Sequence, residues 1–361
     1  MKKLLLIIIT ILLALAVWFS IKENKEAPSS DKPTIKIGVM LPLSGDQAKL
    51  GLPVKGAIEI AIQELINKNT KYNYEFIFED NQFSNSKTTS ALSKLININK
   101  VDAILDAGSG IGNVTSPITE KNKIIHLNIF ASDANVAKGD YNFINWTQPD
   151  KQAAKLIDEV TKRNYKNIGL ITLNHDGAIA VANIVSDELN KKGISNTTKI
   201  FNSGTRDMRI EIKQLNDKGV DLFVLIIFDP ELSVFIKQTN ELNTKADLTA
   251  IESFSFLDDL SVVEGSWYID AAEGQGEIIE KIKKHNNSNI TYGVSNAYDN
   301  VMILVQALEA AETKDQAINE LLKIKEYQGI TGHLTQDKNG IFQSEAIIKK
   351  VINGKPIIVK E

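Results

Sequence analysis

From Thr34 onward, short apolar runs alternate with longer segments whose apolar residues recur every three or four positions. This alternation constrains the fold more than any other feature. Ile35–Leu41 reads as a strand, and Val54, Ala57, Ile58, Ala61, Ile62, Leu65 and Ile66 then form one helical stripe. Strand-like Tyr74–Asp80, helical Thr88–Asn97, and strand-like Val101–Asp106 and Ile124–Ile129 follow. Neighbouring parallel strands need a crossover, and an amphipathic helix supplies one, so the pattern predicts βαβ units and parallel sheets. The pattern restarts at Asn167–Asn174 and continues through Ala178–Lys192, Thr197–Phe201, Met208–Lys218, Asp221–Phe228 and Pro230–Leu242. A faint echo links the segments that begin at Ile37 (IGVMLPLSGD) and Ile168 (IGLITLNHDG), each opening one lobe. After a long helix over Ser295–Ala311, Ile330–Thr335 and Ser344–Val351 are strand-like. Asn353-Gly354 predicts a hairpin into Pro356–Val359. The predicted class is α/β, in two lobes.

Length agrees with two units: the chain has 361 residues, and single cores stop growing near ~250–300. The 41 Lys and Arg against 45 Asp and Glu leave a net charge of −4, which gives no electrostatic footprint for nucleic acid. The absence of cysteine excludes disulfides, cysteine-ligated metal, thiol nucleophiles and a lipid anchor attached to cysteine. Lys2 and Lys3 precede an apolar run from Leu4 to Phe19, interrupted by Thr10. Residues 1–21 therefore read as a signal peptide or an uncleaved N-terminal membrane anchor, and 22–33 as a flexible linker. The positive-inside rule places the remainder outside the cytoplasm.

His126, His175, His285 and His333 lack metal-ligand spacing, so no metal or cofactor is expected. No nucleophile elbow or Walker motif occurs, and no enzymatic activity is expected. His175-Asp176 reads as a loop pair. Gly108-Ser109-Gly110-Ile111-Gly112-Asn113 follows a strand, and reads either as a backbone cradle for an anion or as a tight turn. Asp80, Asp133, Asp229 and Glu252 fall at the C-terminal ends of predicted strands, the ligand edge of open α/β sheets.

The segment IGVMLPLSGDQAKLGLPVKGAIEIAIQELI resembles the opening of type I periplasmic binding proteins of the leucine/isoleucine/valine-binding group. YEFIFEDNQ, VDAILDAGSGIGNVTSPITEKNKIIHLNIFASDA, SNAYDNVMILVQALEAA and ITGHLTQDKNG continue the resemblance in order. It implies two Rossmann-like lobes joined by a three-crossover hinge and closing on a small ligand, with an ABC permease as partner. It implies lobe 1 at 34–149 plus 276–330 and lobe 2 at 150–275 plus 331–361. The family's carboxylate-binding positions carry over to Gly110, with Ser109 adjacent, and to Ala131-Ser132-Asp133. Its ammonium-holding glutamate carries over to Glu252, and its aromatic clamps to Leu50, Gly177 and Phe228/Asp229. Leu50 and Gly177 have lost the ring, and Asp133 replaces a threonine. A carboxylate at 133 repels a ligand carboxylate in a closed cleft unless a cation such as Lys49 pairs with it. With Glu252, it predicts a cationic ligand or a neutral hydrogen-bonder such as an amide or polyol.

The expected function is extracytoplasmic capture of a small polar molecule (amino acid, amide or related) and its delivery to an ABC importer by a monomer. The alternative is a membrane-anchored sensing or envelope-interaction protein with the same fold and no transport role.

Overall fold

The computed structural model describes residues 32–288 and 290–359. The apolar run and nearly all of the linker lie outside the described residues. Among the described residues, no helix is long and apolar enough to cross a membrane.

β1 (Thr34–Leu41) opens the first sheet, and its second half is buried on both faces, as a parallel strand covered by helices requires. α1 (Ala48–Ile66) returns the chain to β2 (Asn73–Asp80), which pairs with β1 in parallel from Thr34↔Asn73 to Leu41↔Asp80. α2 (Asn85–Lys94), β3 (Ala103–Ala107), α3 (Ser109–Asn122), β4 (Ile125–Ile129) and β5 (Asn142–Asn145) complete this parallel series. The chain then crosses over. α4 (Pro149–Lys162), β6 (Asn167–Leu173), α5 (Asp176–Lys191), β7 (Ser195–Phe201), α6 (Arg209–Asp217), β8 (Leu222–Ile226), α7 (Glu231–Glu241) and β9 (Asp247–Ala250) build a second parallel sheet, ordered β7-β6-β8-β9. β10 (Trp267–Asp270) lies beside it.

A second crossover leads to α8 (Glu277–Asn286), α9 (Val294–Ala310) and α10 (Ala317–Lys323), which pack on the first core. β11 (Glu326–Gly329), β12 (Gly332–Gln336) and β13 (Ile341–Gln343) then extend the first sheet, ordered β11-β12-β13-β5-β4-β3-β1-β2. This corrects the expected boundary: 331–343 belongs with the first lobe, not the second. β13 pairs with β5 at Ile341↔Ile144 and Phe342↔Asn145, and Leu334, Ile341 and Phe342 enter the first core. The last crossover therefore falls between Gln343 and Ile347. β14 (Ile347–Ile352) and β15 (Lys355–Ile358) join β10 in an antiparallel sheet on the second lobe. Their hairpin turns at Asn353 and Gly354, whose φ angles of 53° and 65° are those of the tight turn that Asn-Gly favours.

The Thr147 hydroxyl ties the three crossovers together. Its Oγ1 accepts from the backbone N–H of Ala272 at 3.2 Å and lies 3.0 Å from Ser344 Oγ. Nearby, Lys349 is buried between Asp270 (2.7 Å) and Glu273 (2.5 Å). Burial disfavours the Lys349 charge, but the two carboxylates outweigh it and hold its pKa above the usual lysine range.

Candidate ligand cleft

The C-terminal strand ends of both parallel sheets face a cavity of about 210 Å³. Leu50, Ser109 and Ser132 line it from the first lobe; Gly177, Phe228, Asp229 and Glu252 line it from the second. The cleft thus unites seven of the ten expected residues. The other three lie elsewhere.

Gly110 sits on the first turn of α3 and does not line the cavity; a side chain there would meet His175 Nε2 at 3.7 Å. Ala131 is fully buried, and its carbonyl accepts from Gln148 Nε2 at 3.0 Å. Asp133 turns its carboxylate away from the cavity. One oxygen accepts from the backbone N–H of Asn135 at 3.0 Å, and the other from Asn113 Nδ2 at 3.0 Å. This local side-chain-to-backbone bond caps the short turn Ala134–Ala137, so Asp133 neither pairs with Lys49 nor charges the cavity wall. Ser109 Oγ accepts from the backbone N–H groups of Ser132 (3.0 Å) and Asp133 (3.2 Å). The two N–H groups aligned with carboxylate binding are therefore already hydrogen-bonded within the chain.

Glu252 follows β9 with φ of +62°, a region that residues with side chains seldom occupy. Its carboxylate is held by Trp146 Nε1 at 3.0 Å, by Gln152 Nε2, and by the Tyr292 hydroxyl at 2.8 Å. Burial, reinforced by the neighbouring Asp270 carboxylate, pushes its pKa from 4.5 up to about 7, although the three donors pull the other way. The folded state therefore binds this proton more tightly than the unfolded chain does. The corresponding stability is fully present below pH 4.5 and is lost as pH rises through about 7. Glu252→Gln removes that loss, because an amide fills the same space and Tyr292 can accept from its N–H. The variant is expected to be more stable than the parent at pH 8, by up to roughly 3 kcal/mol. The gain should vanish near pH 4.5. Urea titrations at both pH values test this, and an equal gain at both would contradict it.

The two lobes meet around the cavity. Phe83 and His175 stack with ring centroids 6.3 Å apart and planes 7° apart. Asn113 Nδ2 donates to Asp133 of its own lobe (3.0 Å) and to Asp176 of the other (2.9 Å). A Cβ at Gly177 would lie 2.8 Å from Ser109 Oγ. The cleft is closed. His175, read from sequence as a loop residue, belongs to the wall; burial lowers its pKa against the pull of Asp176. Phe83, Phe130, Phe256 and Tyr292 also line the cavity and were not anticipated. Phe130 stands just beyond β4 and Phe83 shortly beyond β2, so aromatic residues at strand ends were the available signal.

Two α/β lobes that close on a cavity at their strand ends define a hinged, cleft-binding protein. The chain belongs to the periplasmic binding protein family, whose model it matches over residues 34–355. It is 22% identical over 227 residues to the Leu/Ile/Val-binding protein BraC3 of Rhizobium johnstonii, covering 61% of this chain and 62% of that protein, less than two thirds of its length. Leu/Ile/Val-binding protein homolog 2 of Brucella abortus is 22% identical over 324 residues, covering 85% of this chain and 87% of that one. The leucine binding protein LivK of Thermotoga maritima has a similar fold, with a TM-score of 0.82 at 20% identity over 90% of this chain and 98% of that one.

Proposed function

We propose that this chain is an extracytoplasmic solute-binding protein that captures a small molecule between its lobes and delivers it to an ABC permease. The observation that carries this reading is a cavity walled by both lobes and sealed by contacts between them, Phe83 to His175 and Asn113 to Asp176. A trapped ligand stabilises the closed form through its greater affinity for that form. A permease that recognises the closed form can then distinguish loaded protein from empty. Both walls come from one chain, so a monomer suffices. The relatives named for leucine, isoleucine and valine support a ligand of amino-acid size. Family membership and the Lys2-Lys3 apolar run support a location outside the cytoplasm.

The test is native mass spectrometry of the protein isolated from its own cells, with small-angle scattering before and after refolding. A small molecule bound one to one, lost on refolding with an increase in radius, is the expected result. An empty protein whose scattering does not respond to a small-molecule extract of those cells would overturn the reading. Crosslinking in intact cells should capture a permease subunit. Capture of a kinase or envelope enzyme instead would select the membrane-anchored sensing alternative.

A further inference from the structure

The closed cavity has an aromatic wall drawn from both lobes. Ring centroids lie 5.0 Å apart for Phe228 and Phe256, 4.5 Å for Phe256 and Tyr292, and 5.1 Å for Tyr292 and Phe130. Glu252 opens onto the same cavity. The hydrogen bonds it receives come from the neutral groups of Trp146, Gln152 and Tyr292, and among the described residues no cation pairs with it. A buried carboxylate without a counter-charge is costly, and ring faces attract cations. Both features ask the ligand to bring positive charge.

The remaining hydrogen-bonding capacity narrows the kind of cation. A carboxylate offers about four acceptor positions, and three on Glu252 are taken. A primary ammonium carries three N–H donors, each needing an acceptor once desolvated, and the rings of Phe130, Phe228 and Phe256 offer none. A fully or largely alkylated ammonium carries the charge with at most one donor and turns methyl groups toward the rings. The Ser132 and Asp133 N–H groups, spent on Ser109, make no demand for a ligand carboxylate. Asp229 adds negative charge to the wall, while Lys49 stands at the exposed rim.

Taking the cleft as a solute site, we infer that its ligand is an organic cation of the quaternary or tertiary ammonium class, seated between Glu252 and the Phe228–Phe256–Tyr292–Phe130 wall.

The test compares choline with its uncharged isostere 3,3-dimethylbutan-1-ol by calorimetry at pH 8 on the full exported chain, with leucine and benzoate as further probes. Choline is expected to bind about tenfold or more tightly than the alcohol, and Glu252→Gln should shrink that preference, because the counter-charge is gone while the rings remain. Phe256→Leu should reduce it as well, which guards against a folding defect in the first variant. Equal binding of choline and the alcohol overturns the ligand class. So does closure, seen by scattering, with leucine or benzoate and no response to choline; that outcome leaves the solute-binding reading standing. That reading falls separately, if protein from its own cells is also empty.

Discussion

Replacing Gly177 with tryptophan is expected to abolish ligand capture while leaving each lobe folded. A Cβ alone at this position would sit 2.8 Å from Ser109 Oγ and 3.4 Å from Ser109 Cβ. Ser109 cannot retreat easily, because it begins α3 and its hydroxyl accepts two backbone N–H groups. An indole must therefore push the lobes apart, breaking the Asn113–Asp176 bond and the Phe83–His175 stack. A cleft that cannot close contacts ligand with one wall at a time. Affinity for the co-purifying ligand should fall at least ~100-fold, equivalent to about 3 kcal/mol. Gly177 does not need a positive φ, so the substitution leaves the backbone unstrained. Calorimetry, scattering and the melting temperature of the empty protein separate these effects. Normal affinity in a closed Gly177→Trp protein would contradict the argument.

Lys349→Met should cost stability instead. Lys349 is the cation holding Asp270 and Glu273 at the base of the crossovers, with Ser255 Oγ donating to Asp270 at 2.6 Å. Burial already raises the Asp270 pKa above the carboxylate range despite Lys349. Removing the lysine leaves a buried carboxylate uncompensated, at a cost of roughly 3–5 kcal/mol. The double variant Lys349→Met, Asp270→Asn should recover a large part of that loss, because the charge disappears with its partner. Urea unfolding at pH 7 reads both quantities. A single variant within 1 kcal/mol of the parent, a bound of the kind typical for exposed pairs (~0–1 kcal/mol), would show that the trio carries no weight.

The two-lobe α/β architecture was legible because strand and helix periods are local, and so was the Asn353-Gly354 hairpin. The third crossover was misplaced because β13 is only three residues long and follows a turn-like Asp337–Gly340. Its place in the first sheet is set by pairing with distant β5. Asp133 shows a second limit. Its position after a strand suggested a charged cleft, but a bond two residues along its own backbone decides where the carboxylate points. Phe228 was read as a clamp position, but the rest of the aromatic wall was not legible, for a third reason: Phe130, Phe256 and Tyr292 share no local spacing with it, and only the closed tertiary structure gathers them. Gly177 was readable only as a lost ring. The structure gives its smallness a purpose, the close approach of the lobes at Ser109.

The pairing of β13 with β5 also has a kinetic consequence. The second parallel sheet is complete once Ala250 has been made, whereas the first needs Ile341–Gln343 before its strand order is whole. During synthesis, the parallel sheet that begins later can finish earlier, although β14 and β15 join its lobe only at the end. Closing so long a loop is entropically slow. The unpaired edge of β5 must wait for almost the whole chain, and of the sheet edges buried at the end it is the one open longest to a chaperone or to a neighbouring unfinished copy.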